Sequence, residues 1–298
     1  MTIYSQINKN KAKSFVLILS FIGFISFFFY LMGQYFGDPY GYFIIGFLFS
    51  LVSSFFSYFY SDKMVLTMSG AKLATKKDYF DYYTVTENLA IAAGIPMPKL
   101  YVIQDEAPNA FATGRNPKHA AVAATTGLLS RLERSEIEGV IAHELSHVKN
   151  YDILIITIVT VLVGTVAMAA DMASRTMFWG GGRSDDRKGG NPIFIVLFIA
   201  LLILMPLIST VIKLAVSRKR EYLADASGAL LTRNPDALAN ALEKIAGDPH
   251  RLQHASNATA HLYISNPFKS GSKARSWLTQ LFSTHPPMED RVRILREM

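Results

Sequence analysis

The chain has 298 residues, of which 50% are hydrophobic and only 18% are Asp, Glu, Lys or Arg. An ordinary soluble domain carries about 25% charged residues, so much of this chain is expected to face lipid. Cys is absent, which excludes a disulfide framework, thiolate or iron–sulfur ligation and a Cys nucleophile, and leaves only His and carboxylates to hold a metal.

Residues 14–32 are almost wholly apolar, and residues 40–60 form a second such run after a turn at Gly37-Asp38-Pro39. Each is near the roughly 20 residues a helix needs to cross a bilayer. Lys9, Lys11 and Lys13 resemble the start of a signal peptide. The long apolar run, the missing small-residue cleavage site and the second span that follows favour an uncleaved anchor. Residues 153–170 and 193–212 are third and fourth candidate spans, joined by a Gly-rich charged loop at 179–190. A buried helical pair is their competing reading, and Pro206 and Lys213 make the fourth less uniform.

The net charge of +7 sits mostly at the edges of these runs. Lys63, Lys72, Lys76 and Lys77 follow the second, and Lys213, Arg218, Lys219 and Arg220 close the fourth. The positive-inside rule then places both termini and the segment between spans two and three in the cytoplasm, although Arg175, Arg183, Arg187 and Lys188 count against this. No stripe of basic and aromatic residues suggests a nucleic-acid partner.

The first polar region opens with a helix near residues 84–93, ended by Gly94 and Pro96. Short strands are predicted at 100–104, 109–113 and 120–125. Ser135-Glu136-Ile137-Glu138 reads as a capping box starting a helix that runs to about Tyr151. The second polar region predicts helices near 218–231, 235–246 and 288–297.

The chemistry lies on the helix after Ser135. His143-Glu144-Leu145-Ser146-His147 sets two imidazoles four residues apart, on one face and able to converge on one ion. Glu144, one step round, is placed to deprotonate a water held by that ion. A catalytic zinc site wants three protein ligands and one open position, and two His plus one Glu form an established set that favours zinc. Glu221 is the candidate third ligand. Alone it reads as a surface acid pairing with Arg218 or Lys219, but two intervening spans return it to the same membrane face as His147. Asp225, one turn later, is placed to accept the second N–H of a ligating imidazole. His250 and His254 form a rival pair four residues apart that lacks an adjacent Glu and reads as a solvated helical face. His119 and His261 read as structural or incidental, and His285 as a turn or capping residue.

Together these features resemble the HtpX-type membrane zinc metalloproteases of bacteria and archaea, distant relatives of the proteases that trim prenylated proteins. The resemblance rests on the two N-terminal spans, Pro108-Asn109-Ala110-Phe111-Ala112-Thr113-Gly114, His143 through Asp152, two further spans, Arg220-Glu221-Tyr222-Leu223-Ala224-Asp225 and Thr284-His285-Pro286-Pro287. It implies that His143, His147 and Glu221 hold one Zn2+ per chain and that Glu144 is the general base. It also implies that Asn109, Ala110, Phe111, Ala112, Thr113 and Gly114 form an edge strand that pairs with an extended substrate. An ordinary sheet strand is the plainer reading of that segment. Asn150 and Asp152 are taken to fix the helix end, and His285 and Tyr222 are weak candidates for stabilising an oxyanion.

The expected architecture is a mainly α membrane protein with four transmembrane helices and a cytoplasmic α+β gluzincin-type protease domain with a small β-sheet. Residues 1–61 form a membrane hairpin, 62–152 the protease part with the His-Glu helix, 153–216 a second hairpin and 217–298 a helical part supplying the third ligand. The resemblance implies endopeptidase cleavage of misfolded or damaged membrane proteins at the cytoplasmic face of the inner membrane. An inactive zinc-binding scaffold, a metal transporter and a protease cutting inside the bilayer are the alternatives. A transporter would need ionisable ligands inside several spans, which the first two lack.

Overall fold

A computed structural model describes residues 3–162, 218–253, 259–265 and 286–298. The candidate span at 193–212, the distal part of the third candidate and the loop at 179–190 lie outside these residues.

Two long helices open the chain, α1 (Ile3–Phe36) and α2 (Pro39–Met68). Asp38 starts α2 by accepting a hydrogen bond from the Gly41 N–H at 2.9 Å, and Pro39 occupies the first helical position, where no N–H is needed. Gly46, Ser50, Ser54, Ser57 and Ser61 are buried along one stripe of α2. Such small residues let helices approach closely where lipid supplies no hydrophobic drive between them. Phe15, Val16, Phe27, Ile44, Phe55 and other large apolar side chains are exposed on the remaining faces. Among the described residues these are the two helices long and apolar enough to cross a membrane.

A four-stranded sheet follows, built from β1 (Lys72–Leu73), β2 (Lys99–Ile103), β3 (Ala110–Gly114) and β4 (Ala120–Thr125) in the order β1-β2-β4-β3. β2 and β4 are parallel, and the other two pairings are antiparallel. β1 is too short to leave a pattern in the sequence. Helix α3 (Phe80–Ala93) starts earlier than its apolar periodicity indicates, and Tyr82 donates its buried hydroxyl to the Val122 carbonyl at 3.0 Å.

After a short α4 (Thr126–Arg131), α5 (Arg134–Lys149) carries the His-Glu motif. Its cap is Glu133 rather than Ser135, with the Glu136 carboxylate accepting the Glu133 N–H at 2.8 Å. The amphipathic pattern predicts a half-exposed helix, yet every residue from 136 to 148 except Glu138 is buried. The polar residues have partners inside the protein. Glu136 also pairs with Lys244, and Ser146 donates to the Ala142 carbonyl.

Three helices complete the enclosure. α7 (Arg218–Thr232) and α8 (Pro235–Gly247) lie along α5, and α9 (Met288–Arg296) packs on both. Between α5 and α7 the chain enters α6 (Asp152–Leu162), bent 84° from α5. Leu154, Ile158 and Leu162 of α6 pack with Ile18, Phe21 and Tyr58 of the two long helices.

Two glycines set the spacing around α5. A Cβ at Gly139 would lie 2.8 Å from the Leu238 nitrogen, and one at Gly228 would lie 3.0 Å from the His143 nitrogen. Gly139→Ala is therefore expected to force α5 and α8 apart and destabilise the protein by about 1–3 kcal/mol. A lowered melting temperature in detergent is the check, and an unchanged one would mean that the helices separate without cost.

Candidate metal centre

The arrangement starts with the sharp bend that ends α5. Tyr151 adopts a left-handed φ of 60°, and Asp152 begins α6 directly behind His147. The Asp152 Oδ2 then accepts from His147 Nδ1 at 3.1 Å, while Asp225 Oδ1 accepts from His143 Nδ1 at 2.8 Å. With both Nδ1 atoms donating to carboxylates, both Nε2 atoms are left to face inward, 3.2 Å apart. Glu221, on the face of α7 that meets α5, sets its carboxylate oxygens 3.8 Å from His143 Nε2 and 3.6 Å from His147 Nε2.

These distances suit a metal. Bonds of about 2.0–2.1 Å in a tetrahedron give ligand-to-ligand edges of about 3.3 Å. One ligand atom from each of His143, His147 and Glu221 lies within 4.8 Å of the other two. Two imidazole lone pairs at 3.2 Å repel unless a proton or a cation stands between them. The surroundings make the same demand. Glu144, Asp152, Glu221 and Asp225 are all buried, and the fixed cations among them are Arg291 and Arg220. Among the described residues this leaves two negative charges, which one divalent cation would balance.

In the metal-free protein protons take up that deficit. Burial pulls the His147 imidazole down, but the hydrogen bond to Asp152 and the charges of Glu221, Asp152 and Glu144 outweigh it and lift it to about 9. Burial lifts Glu144 to about 7, opposed by His147 and by a hydrogen bond from the Ala112 N–H. Burial also favours neutral Asp225, but Arg291 and His143 hold its carboxyl down at about 2. His143 is lowered by burial in spite of Asp225.

The sequence-predicted site residues therefore fall into two groups. His143, Glu144, His147, Glu221 and Asp225 come together around one point. Residues 110–114 form β3, an edge strand that Asn109 precedes, and Ala112 lines the cavity beside Glu144 with Ile153, Ile156, Leu262 and Ile264. Tyr222 is not among the lining residues, and His254 and His285 lie outside the described part of the chain. His250 sits after Pro249 in an irregular segment, paired with Asp248 and Glu106, and residues 248–253 are not helical. His119 is exposed and pairs with Asn116.

Sequence reasoning missed Arg291. It is fully buried and donates Nε and Nη2 to the two Asp225 oxygens at 2.8 and 2.7 Å, with Nη1 3.8 Å from Glu221. An Arg in an otherwise polar terminal helix gives no sign in the sequence that it is swallowed by a core. Asp152, read as a helix-end residue, is the partner of His147. Its spacing of five from His147 hid this, because only the 84° bend brings it back.

The His147 shift has a sign that can be tested. A ligating imidazole must be neutral, so metal binding below about pH 9 has to expel its proton. A divalent cation also pulls down the Glu144 carboxyl, which is about half protonated near pH 7. Zinc titrated into metal-free protein at pH 7 should release roughly one to two protons and bind roughly 10- to 100-fold more weakly per unit fall in pH. Calorimetry in buffers of different ionisation enthalpy measures the release, and a value of zero would place the metal elsewhere.

Comparison with known proteins identifies the family. Residues 81–298 match the model of peptidase family M48. Proteins described as protease HtpX homologs align over nearly their whole length. The one from Tropheryma whipplei (strain Twist) is 47% identical over 99% of this chain and 98% of its own. Those from Thermoanaerobacter pseudethanolicus and Streptococcus gordonii are each 41% identical, over 100% and 99% of this chain and 98% and 100% of theirs. The crystal structure of S. mikatae Ste24p shares the fold, with a TM-score of 0.52, 19% identity and coverage of 98% of this chain and 67% of that one.

Proposed function

Since the chain belongs to peptidase family M48 and is a membrane metalloprotease of the HtpX type, we propose that it is a zinc endopeptidase acting on misfolded or damaged membrane proteins at the cytoplasmic face, in protein quality control. The observation that carries this reading is the convergence of His143 Nε2, His147 Nε2 and the Glu221 carboxylate on one point with Glu144 beside it. His143, His147 and Glu221 would hold one zinc ion. Zinc so held supplies Lewis acidity, which polarises a carbonyl and makes water a nucleophile near neutral pH.

The protein groups do the rest. Asp225 and Asp152 keep the two imidazoles in the Nδ1–H tautomer and fix their angle. Glu144 takes a proton from the attacking water and delivers it to the leaving amine, a task suited to a buried carboxylate whose burial raises its affinity for protons. Arg291 holds Asp225 ionised and adds positive charge next to Glu221. Apolar Ile153 and Ile156 line the site beside these groups, and Leu262 and Ile264 close it before substrate enters.

Glu144→Gln is expected to keep stoichiometric zinc and lose roughly 10²–10⁴-fold in cleavage of an unfolded protein such as casein. His143→Ala and Glu221→Ala should lose both zinc and cleavage. Elemental analysis beside the cleavage assay separates the cases. Stoichiometric zinc in Glu221→Ala would reassign the third ligand, and full cleavage by Glu144→Gln would remove the base.

An extended substrate would lie along the outer edge of β3. That edge reads backbone and tolerates many sequences. Its outward groups are engaged by the chain itself. The Ile264 N–H donates to the Ala110 carbonyl at 3.0 Å, Gly114 N–H to Thr157 Oγ1 at 3.4 Å, and Ala112 N–H to Glu144. The Asn109 side chain clamps the Ser265 backbone from both sides, at 3.0 and 3.3 Å. Residues 259–265 must therefore leave the edge as substrate enters. A metal-chelating peptide inhibitor is expected to raise deuterium exchange in 259–265, whereas lowered exchange there would mean that substrate approaches by another route.

A further inference from the structure

The first membrane helix reaches the back of the metal centre through one side chain. Asn10 of α1 is buried, and its carboxamide donates both hydrogens, one to the Asn150 carbonyl at 2.9 Å and one to Asp152 Oδ1 at 2.8 Å. The other Asp152 oxygen, Oδ2, is the one that accepts from His147 Nδ1. The Asn150 carbonyl belongs to the residue that ends α5, next to the left-handed Tyr151. Lys11, the next residue of α1, places its ammonium 4.5 Å from the centre of the Tyr151 ring. The bend that carries Asp152 behind His147 is thus gripped from outside by two neighbouring residues of a membrane helix about 140 positions away.

We propose that Asn10 is a positioning residue for the metal centre, holding the Asp152 carboxylate, and through it the His147 imidazole, at the angle that ligation requires. This rests on the reading that His147 holds the metal. The residue type fits the task. A carboxamide supplies two N–H donors to two oxygen acceptors and adds no charge beside a carboxylate. Asp at position 10 would present oxygen to both acceptors and repel Asp152. Ala would leave the Asn150 carbonyl and one Asp152 oxygen without this donor. Arg220 Nη1, 3.4 Å from the same Asp152 oxygen, keeps part of the restraint. The loss is therefore expected at the lower end of the 10–100-fold range seen when an outer partner of a metal ligand is removed.

The test uses the full chain in detergent or nanodiscs and reads zinc affinity by competition with a chelator, together with kcat and KM at saturating zinc. Asn10→Ala should weaken zinc about tenfold, Asn10→Asp more, and Asn10→Gln, which keeps both donors, should recover part of the affinity. At saturating zinc, kcat should fall while KM holds, because the substrate edge is untouched. Gly46→Ala is the control for loosened packing of the membrane helices, since its Cβ would lie 2.5 Å from the Phe29 Cβ and far from Asp152. It should leave zinc affinity unchanged. Zinc affinities for Asn10→Ala and Asn10→Asp within twofold of wild type would overturn the proposal, and so would equal losses from Gly46→Ala. His147→Ala separates the two readings. Undiminished zinc in that variant removes the ligand assignment itself, whereas loss there with none in the Asn10 variants removes only the role of Asn10.

Discussion

The rest of the structure depends on burying more negative than positive charge at one point. Among the described residues four carboxylates and two imidazoles are withdrawn from water with two guanidiniums for company. Each ion withdrawn in this way costs several kcal/mol unless its partners are close and well directed. That cost explains why so many separate elements converge here. α7 brings Glu221, Asp225 and Arg220, α9 brings Arg291, the start of α6 brings Asp152, and β3 brings the Ala112 N–H. The charge left over is the divalent one that a metallopeptidase carries, and in the metal-free protein His147 and Glu144 meet it with protons.

Enclosing that charge dictates the packing. α5 could not be half exposed, because water around His143, Glu144 and His147 would screen the interactions that orient them. It is therefore wrapped by the sheet, α3, α7 and α8, and two of its contacts are close enough to require glycine, at Gly139 and Gly228. The second lies against the His143 backbone, so the spacing of α7 from α5 also sets the distance of Glu221 from the imidazoles.

What the sequence disclosed follows from this division. Local signals were legible: the apolar runs, the three longer strands, the pairing of His143 and His147 at helical spacing, and the Glu221–Asp225 step of one turn. Each is a relation between near neighbours in the chain, which periodicity can express. Two-residue β1 left no pattern. The cap of α5 was misplaced by two residues because Ser135 and Glu138 match the same motif as Glu133 and Glu136. Arg291 and Asn10 were invisible because their partners lie 66 and 142 residues away, and neither residue type advertises burial. Asp152 was seen as a helix-end residue, and only the 84° bend gave it a second task. Exposure of α5 was misjudged for the opposite reason. Polar residues at 136, 143, 144, 146 and 147 normally mark a solvated face, and here they mark a filled one.

Seclusion and access pull against each other in such a site. His143, Glu144, His147 and Glu221 are each buried, and residues 262–265 lie on the edge where a chain would have to enter. A folded protein cannot present a segment to that edge, since an edge strand accepts only an extended backbone with its own hydrogen bonds free. An edge of this kind reads an extended backbone rather than a side-chain sequence. The membrane helices take part in building the same centre. With Asn10 and Lys11 of α1 gripping the turn behind His147, the first long apolar helix supports the geometry of the imidazole as well as anchoring the chain.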